Sequence, residues 1–129
     1  MKRNDGCIKS KLLIIDDHRE FRNTLSQYLK KRLTTIKIFK AATGEEGVAT
    51  AIKHKPGIIL MDMQLPHMNG IEASEEIKKA LPRCVIFVLS LFAGGMRKEN
   101  HVSAAIDEVV GKNEIEKKLV PLLRKHLRT

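Results

Sequence analysis

Residues 58–70, IILMDMQLPHMNG, are the stretch of sequence that decides the fold of this chain. Four consecutive apolar residues are the pattern of a strand that is buried on both faces of a sheet. Asp62 comes directly after them, and the Pro, Asn and Gly that follow are typical of a turn. Because parallel α/β sheets bind their ligands beyond the carboxyl ends of the strands, Asp62 is the first candidate functional residue.

Apolar runs and amphipathic stripes alternate on both sides of this stretch. The runs predict five strands, at residues 11–15, 35–41 (near an edge), 58–61, 84–89 and 108–111. The stripes predict five helices, at residues 16–33, from 43 onward, at 71–81, around 96–105 and at 113–127. Five βα units indicate an α/β fold with a parallel sheet and helices on both faces. We expect residues 1–10 to be a polar basic tail and residues 11–129 to be one domain.

The helical stripes also predict which side chains face the sheet. In the second helix the inward positions are Val48, Ala51 and Ile52. In the last helix they are Ile115, Leu119, Leu122 and His126. Pro56-Gly57 is expected to break the chain before the third strand. Pro121 lacks an amide hydrogen and its ring clashes with the preceding turn, so we expect a kink near Val120.

Composition indicates a one-domain protein with its own core. The chain has 129 residues, of which 43% are apolar and 30% charged. No apolar run reaches the roughly 18 residues of a membrane span, and no apolar segment of a secretory signal follows the first residues. We therefore expect a cytoplasmic protein with no membrane partner. Cys7 and Cys84 are too few for a disulfide framework or a zinc site, and we expect both to be reduced.

The formal net charge of +9 is concentrated at the two ends of the chain. Residues 1–11 hold four Lys or Arg and one acid, and residues 112–129 hold six and two, whereas the hundred residues between them hold fourteen and twelve. Such ends can attract nucleic acid, anionic lipid or an acidic partner, although solvated termini are the simpler explanation. With four Phe, one Tyr and no Trp, stacking on single-stranded nucleic acid is not expected.

Charged and hydroxyl side chains follow four of the five predicted strands. They are Asp16, Asp17, Asp62, Ser90 and Lys112. Three carboxylates at one sheet edge repel one another, so their clustering implies a metal ion or the nearby ammonium group. Carboxylate oxygens and water suit Mg²⁺, and a carboxylate beside Mg²⁺, a hydroxyl and a lysine is suited to accept a phosphoryl group.

These residues and the motifs around them resemble the receiver domain of two-component response regulators. The motifs are LLIIDDH at 12–18, IILMDMQLPHMNG at 58–70, VLS at 88–90 and VVGK at 109–112. The resemblance runs from about residue 11 to residue 127 and implies a flavodoxin-like, doubly wound five-stranded parallel sheet with strand order 2-1-3-4-5. The stretch DDH at 16–18 with Phe21 and Arg22 is also similar to the subgroup that carries a DNA-binding helix-turn-helix downstream.

The resemblance implies a Mg²⁺ site at the acidic residues. Asp17 matches a direct metal ligand, and Asp16 matches the companion that holds the metal and its waters. Asp62 is a further ligand. Gln64 matches the position whose backbone carbonyl binds the metal.

The resemblance also implies a phosphorylation mechanism. Asp62 matches the phosphoacceptor, Ser90 the hydroxyl that bonds the phosphoryl group, and Lys112 the ammonium that pairs with it. A histidine kinase or a histidine phosphotransfer protein would be the donor.

Phosphorylation of Asp62 would move the face formed by the predicted fourth helix, the fifth strand and the last helix. A phosphorylation-dependent homodimer is one form of output, and DNA binding would belong to a downstream domain rather than to this chain. Such a domain catalyses only its own phosphorylation and dephosphorylation and is otherwise not an enzyme.

Two positions depart from the family pattern. Val109 stands where the family usually has an aromatic residue that moves with the hydroxyl, so we expect the phosphorylation signal to reach the output face by another route or only weakly. Leu91 stands where a small residue usually follows the hydroxyl, and we expect it to slow the entry or the loss of the phosphoryl group.

Other classes of protein fit the residues less well. A hydrolase with a nucleophilic aspartate typically has a second Asp two residues later, where this chain has Gln64. A nucleotide-binding domain needs a glycine-rich loop after the first strand, where this chain has two acids. A receiver-like interaction module that never uses phosphate, and direct nucleic-acid binding through the basic ends, stay open as alternatives.

Overall fold

Strands and helices alternate along the chain in the computed structural model, which describes residues 6–91 and 103–128. The strands are β1 (Ile8–Ile15), β2 (Lys37–Ala41), β3 (Pro56–Asp62), β4 (Val85–Ser90) and β5 (Glu108–Gly111). The helices are α1 (Arg19–Arg32), α2 (Gly44–His54), α3 (Gly70–Ala80) and the C-terminal helix (Val120–Arg128). A 3₁₀ turn (Lys112–Glu114) and a π-helical turn (Ile115–Leu119) precede the C-terminal helix.

The five strands form one parallel sheet in the order β2-β1-β3-β4-β5. The predicted order and the edge position of the second strand are therefore confirmed. Alternate residues of the central strands enter two separate cores, because successive side chains of a strand point to opposite faces. One core includes Leu12 and Ile58 and is covered by α1 and the C-terminal helix. The other includes Leu13 and Ile59 and is covered by α2 and α3.

Side-chain caps fix the start of two helices near the carboxyl ends of the strands. Thr43 Oγ1 accepts the backbone N–H of Glu46 at 3.0 Å, as expected at the start of α2. At α3, Asn69 Oδ1 accepts the N–H of Glu72 at 2.9 Å, and Glu72 Oε1 accepts the N–H of Asn69 at 3.1 Å. This capping box satisfies two helix-terminal donors and holds the end of the loop that follows Asp62.

Three predicted details of the first half are wrong. Strand β1 begins at Ile8, three residues earlier than predicted, since the N–H of Ile8 donates to the carbonyl of Lys55 at 2.8 Å. Pro56 and Gly57 do not break the chain but begin β3, where proline is tolerated as the first residue of a strand. A Cβ at Gly57 would lie 2.8 Å from the Ile8 carbonyl oxygen, so the close approach of β1 explains the glycine. Ile52 is 46% exposed and does not face the sheet.

The last helical segment buries the predicted Leu119, and the predicted Ile115 and Leu122 pack half-buried against the same core, but Val120 and Leu123 join the buried stripe. The π turn closes with the N–H of Val120 donating to the carbonyl of Ile115, five residues back instead of four. Leu119, Val120 and Leu123 are buried as a result, whereas Leu122 and His126 are half-buried. Pro121 directly follows the π turn within a continuous helical segment, and its missing N–H removes one hydrogen bond to the preceding turn. At Val120, where a kink was expected, the hydrogen bonding changes from π-helical to α-helical.

The predicted helix around residues 96–105 falls mainly outside the described residues, and residues 103–105 end in a turn. The glycines at 94 and 95 are also outside them. Among the described helices, none combines the length and the apolar composition that crossing a bilayer requires.

The two cysteines are expected to differ strongly in reactivity. A hydrogen bond with the Cys7 thiol, together with burial, raises the pKa of the Cys84 thiol far above its usual range. Cys84 is 1% exposed and Cys7 is half-buried. Because the thiolate is the reactive form, we expect a maleimide reagent to label Cys84 at least about tenfold more slowly than Cys7 in the folded chain. Mass spectrometry after pulse labelling at pH 7.5 measures both rates, and equal rates would contradict this assignment.

Candidate functional site

The strand register brings the predicted site residues to one edge of the sheet. Ile15 of β1 pairs with Met61 of β3, so Asp16 and Asp62 leave neighbouring strands at the same level. Ser90 of β4 pairs with Gly111 of β5, and Lys112 follows directly. Parallel pairing therefore places the residues after each strand side by side. The expected convergence of the carboxylates, the hydroxyl and the ammonium is found.

Lys112 forms ion pairs with two buried carboxylates. Its Nζ lies 3.2 Å from Oδ2 of Asp16 and 3.6 Å from Oδ1 of Asp62. The carboxylate side chains are 1% and 6% exposed and the lysine side chain is 13% exposed. The lysine Nζ also lies 4.4 Å from the ring centroid of Phe21. One cation thus compensates two desolvated anions, which leaves an excess of negative charge.

The excess negative charge favours the protonated form of Asp62. Burial, and next the charge of Asp16, raise the pKa of the Asp62 carboxyl group above its ordinary value. Lys112 and the backbone N–H of Gln64, which donates to Asp62 Oδ1 at 3.3 Å, oppose this increase without cancelling it. Asp17 adds a smaller contribution in the upward direction. A further cation at this position would therefore be stabilised by the charges already present.

Four side chains together offer ligand atoms for such a cation. Asp16, Asp17, His18 and Asp62 each place one ligand atom so that all four atoms lie within 4.8 Å of one another. Oxygen ligands from several carboxylates are the donors that Mg²⁺ prefers, and it retains part of its water shell. Asp17 is partly exposed, so water has access to the group. The three carboxylates therefore fit Mg²⁺ in donor type and in charge.

A cavity of about 120 Å³ opens beside Asp62. Ser90, Gln64, Leu91 and Lys112 lie along its wall. Ser90 is 7% exposed, whereas Leu91 is 66% exposed and lies at the outer side. Gln64 contacts the site through its backbone N–H, which donates to Asp62 Oδ1. Metal binding by the backbone carbonyl of Gln64 stays a prediction. Val109 is half-buried and packs against the core under α2 and α3.

Sequence reasoning missed four neighbours of the site. Phe21 contacts the Lys112 ammonium, and Arg22 Nη1 donates to the backbone carbonyl of Asp16 at 2.7 Å. Met63 lies along the cavity wall, and His18 directs Nδ1 toward the carboxylates. Phe21 and Arg22 follow the two acids by four to six residues, in the first turn of α1, and this proximity was the available signal for the first two.

Known proteins of one family match this chain. The model of the response regulator receiver domain matches residues 12–124. Response regulator protein VraR of Staphylococcus aureus is 32% identical over 115 residues, which are 89% of this chain and 55% of VraR. The chain thus spans about half the length of the curated relatives that it matches.

Solved structures show the same fold. Response regulator TrrA of Thermotoga maritima, in complex with Mg²⁺-BeF, has a TM-score of 0.80 at 24% identity over 91% of this chain and 98% of TrrA. The receiver domain of a sensor histidine kinase from Pseudomonas aeruginosa, with a magnesium ion in its active-site cleft, has a TM-score of 0.78 at 23% identity over 93% and 98%. With the family model covering most of its length, this chain belongs to the response regulator receiver domains of two-component signalling.

Proposed function

We propose that this chain accepts a phosphoryl group on Asp62 in a Mg²⁺-dependent reaction with a phosphohistidine donor. The observation that carries the proposal is the position of the Asp62 carboxylate. It lies next to two further acids and to the Lys112 ammonium, 3.6 Å away, and it borders a cavity that Ser90 also lines. A buried carboxylate with a compensating cation and a nearby hydroxyl has the parts needed for in-line attack and for stabilisation of the transferred group.

The transfer uses the side chains in distinct roles. A carboxylate oxygen of Asp62 attacks phosphorus, the P–O bond forms, and the P–N bond to the donor imidazole breaks. The donor nitrogen leaves with the electron pair and takes its proton from solvent. Lys112 pairs with the phosphoryl oxygens, and the Ser90 hydroxyl donates to one of them. The new acyl phosphate carries about two negative charges in place of the single charge of the carboxylate, and these draw Lys112 and Ser90 toward it.

Asp16, Asp17 and Asp62, with the backbone carbonyl of Gln64, would hold the metal ion. When bound, Mg²⁺ supplies positive charge that neutralises the phosphoryl oxygens. The excess of carboxylates over cations at the site supports this assignment. The magnesium named for the receiver-domain structures above supports it as well.

The donor would be a histidine kinase or a phosphotransfer protein, and the location would be the cytoplasm. The chain would catalyse only its own phosphorylation and dephosphorylation. Output would pass through β5 and the C-terminal helix to a partner, a second copy of the chain or a transcription-regulating domain. Since Val109 replaces the aromatic residue of the family pattern, we expect this output to depend on backbone movement at Ser90. Leu91, at the outer side of the cavity, would slow the exchange of phosphate.

A phosphodonor experiment tests the proposal directly. The chain is incubated with acetyl phosphate and Mg²⁺, and the intact mass is measured. We expect the wild-type chain to gain the mass of one phosphoryl group, and the Asp62→Asn variant or EDTA to abolish the gain, since the nucleophile or the metal is then missing. Glu75→Gln, at an exposed carboxylate of α3, is the matched control and should be labelled like the wild type.

Labelling of Asp62→Asn at the wild-type level would refute Asp62 as the acceptor. A wild-type chain that stays unlabelled by acetyl phosphate and by a phosphohistidine donor would favour the alternative function, an interaction module that is independent of phosphate.

A further inference from the structure

His18 is the one nitrogen donor in the described acidic cluster. Its Nδ1 lies 3.3 Å from Asp16 Oδ1, 3.3 Å from Asp17 Oδ1 and 4.0 Å from Asp62 Oδ2. The side chain is 69% exposed, so the imidazole covers the cluster from the solvent side. The backbone N–H of His18 donates to Asp16 Oδ1 at 2.8 Å, and this bond fixes the residue next to the carboxylates.

The distances agree with those between ligands of a four-coordinate ion. Two ligand atoms that each lie about 2.1 Å from a tetrahedral metal ion are about 3.4 Å apart. The distances from Nδ1 to Asp16 and Asp17 are close to this value, and the distance to Asp62 is somewhat longer. The four donor atoms lie within 4.8 Å of one another, so shifts of the imidazole and of the carboxylates by about an ångström bring them around one ion.

The donor set favours a different class of metal from Mg²⁺. Magnesium binds oxygen almost exclusively and prefers octahedral geometry, whereas imidazole nitrogen suits zinc, cobalt, nickel and copper. Affinity at a mixed N/O site rises along the first-row divalent ions from manganese through cobalt and nickel to copper and falls again at zinc. His18 therefore adds nothing to magnesium binding but strengthens binding of a borderline ion.

We propose that His18 joins Asp16, Asp17 and Asp62 as ligands of a borderline divalent cation of the Zn²⁺ or Co²⁺ class, which competes with Mg²⁺ for the site. Mg²⁺ keeps water positions that phosphoryl oxygens can replace, whereas a tetrahedral ion bound by these four side chains has no open position, so it holds Asp62 without assisting the transfer. This regulatory consequence rests on the proposed function, whereas the metal binding does not.

Metal titration of the full chain tests the ligand assignment at constant pH without any phosphodonor. Co²⁺ binding is followed by its visible absorption, and Zn²⁺ and Mg²⁺ binding by calorimetry, in wild type and in His18→Asn. His67→Asn is the matched control, because His67 is exposed and lies outside the cluster. We expect His18→Asn to lose about tenfold or more in affinity for Co²⁺ and Zn²⁺ and to keep its Mg²⁺ affinity within about twofold. His67→Asn should match the wild type.

The outcomes separate this proposal from the proposed function. Equal Co²⁺ affinity and equal spectra for wild type and His18→Asn would overturn the ligand role of His18, whatever the labelling results. If the Co²⁺ affinity falls as expected, Zn²⁺ should inhibit Mg²⁺-dependent labelling of the wild type at concentrations about tenfold lower than for His18→Asn. Labelling that Zn²⁺ leaves unaffected would overturn the regulatory part. A wild type that binds Co²⁺ through His18 but is not labelled with Mg²⁺ would refute the phosphoacceptor function alone.

Discussion

The Lys112→Met variant is expected to have a free energy of unfolding about 3 kcal/mol below that of the wild-type chain at pH 7.5 in EDTA. Methionine keeps an unbranched apolar side chain of nearly the same length but removes the ammonium, and with it the cation–π contact with Phe21. Asp16 and Asp62, both buried, would then face each other without their cation. Removing one partner from a buried ion pair is strongly destabilising, because the remaining charge is neither solvated nor paired.

Urea unfolding followed by circular dichroism measures this loss. Lys117→Met is the matched control, since Lys117 is an exposed residue of the π turn, and it should change stability by less than about 0.5 kcal/mol. Mg²⁺ should restore part of the stability of Lys112→Met, because an ion bound only by the folded state shifts the equilibrium toward it. Equal stabilities of the two lysine variants in EDTA would show that Lys112 does not compensate the buried carboxylates.

The Asp62→Asn variant is expected to be more stable than the wild-type chain at pH 7.5 in EDTA, by about 1–3 kcal/mol. The substitution removes one of the mutually repelling charges and keeps the shape of the side chain. Burial and the charge of Asp16 raise the pKa of Asp62 in the folded chain, so the folded state binds this proton more tightly than the unfolded state. The contribution of Asp62 to stability is therefore present below the unfolded-state pKa and is lost as the pH rises through the folded-state pKa.

The stability difference between the wild type and Asp62→Asn is expected to depend on pH. As the pH falls from 7.5 toward the unfolded-state value of about 4, the wild-type carboxyl group becomes protonated and the stability difference from Asp62→Asn should shrink. Urea unfolding of both proteins at several pH values in EDTA measures the difference. A wild type that is more stable than the variant at pH 7.5, or a difference that widens on acidification, would contradict the charge balance described here.

Much of the fold could be predicted because the central strands are buried on both faces. The predicted apolar runs are continuous, and their bounds agree closely with those of β1, β3 and β4. The resemblance to the family implied the strand order that the sheet has. The errors occur where tertiary contacts override the local pattern. Gly57 stays in β3 because β1 approaches it closely, and no local rule reveals that contact. Ile52 fits the helical period, but the residues that α2 buries are Gly44, Gly47 and Ala51, and Ile52 lies to one side of that stripe.

The site could be predicted to the level of residue type and strand end, but not to the level of contacts. Asp16, Asp62 and Lys112 follow strands whose register places them together, and register follows from the apolar pattern. His18 lies in the connection to α1, and its Nδ1 lies 3.3 Å from the carboxylates of Asp16 and Asp17. The conformation of a single connecting residue and its side chain is not readable from sequence, so this nitrogen donor was missed.

The π turn at Ile115–Leu119 affects how this chain is compared with its relatives. A turn closed over five residues holds one residue more than an ordinary helical turn. An alignment with a homologue whose last helix is uninterrupted must therefore open a single-residue gap within this turn. Without that gap, Val120 and Leu123 would be matched to solvent-facing positions of the homologue, and residues inferred to form a shared interface would be displaced by one.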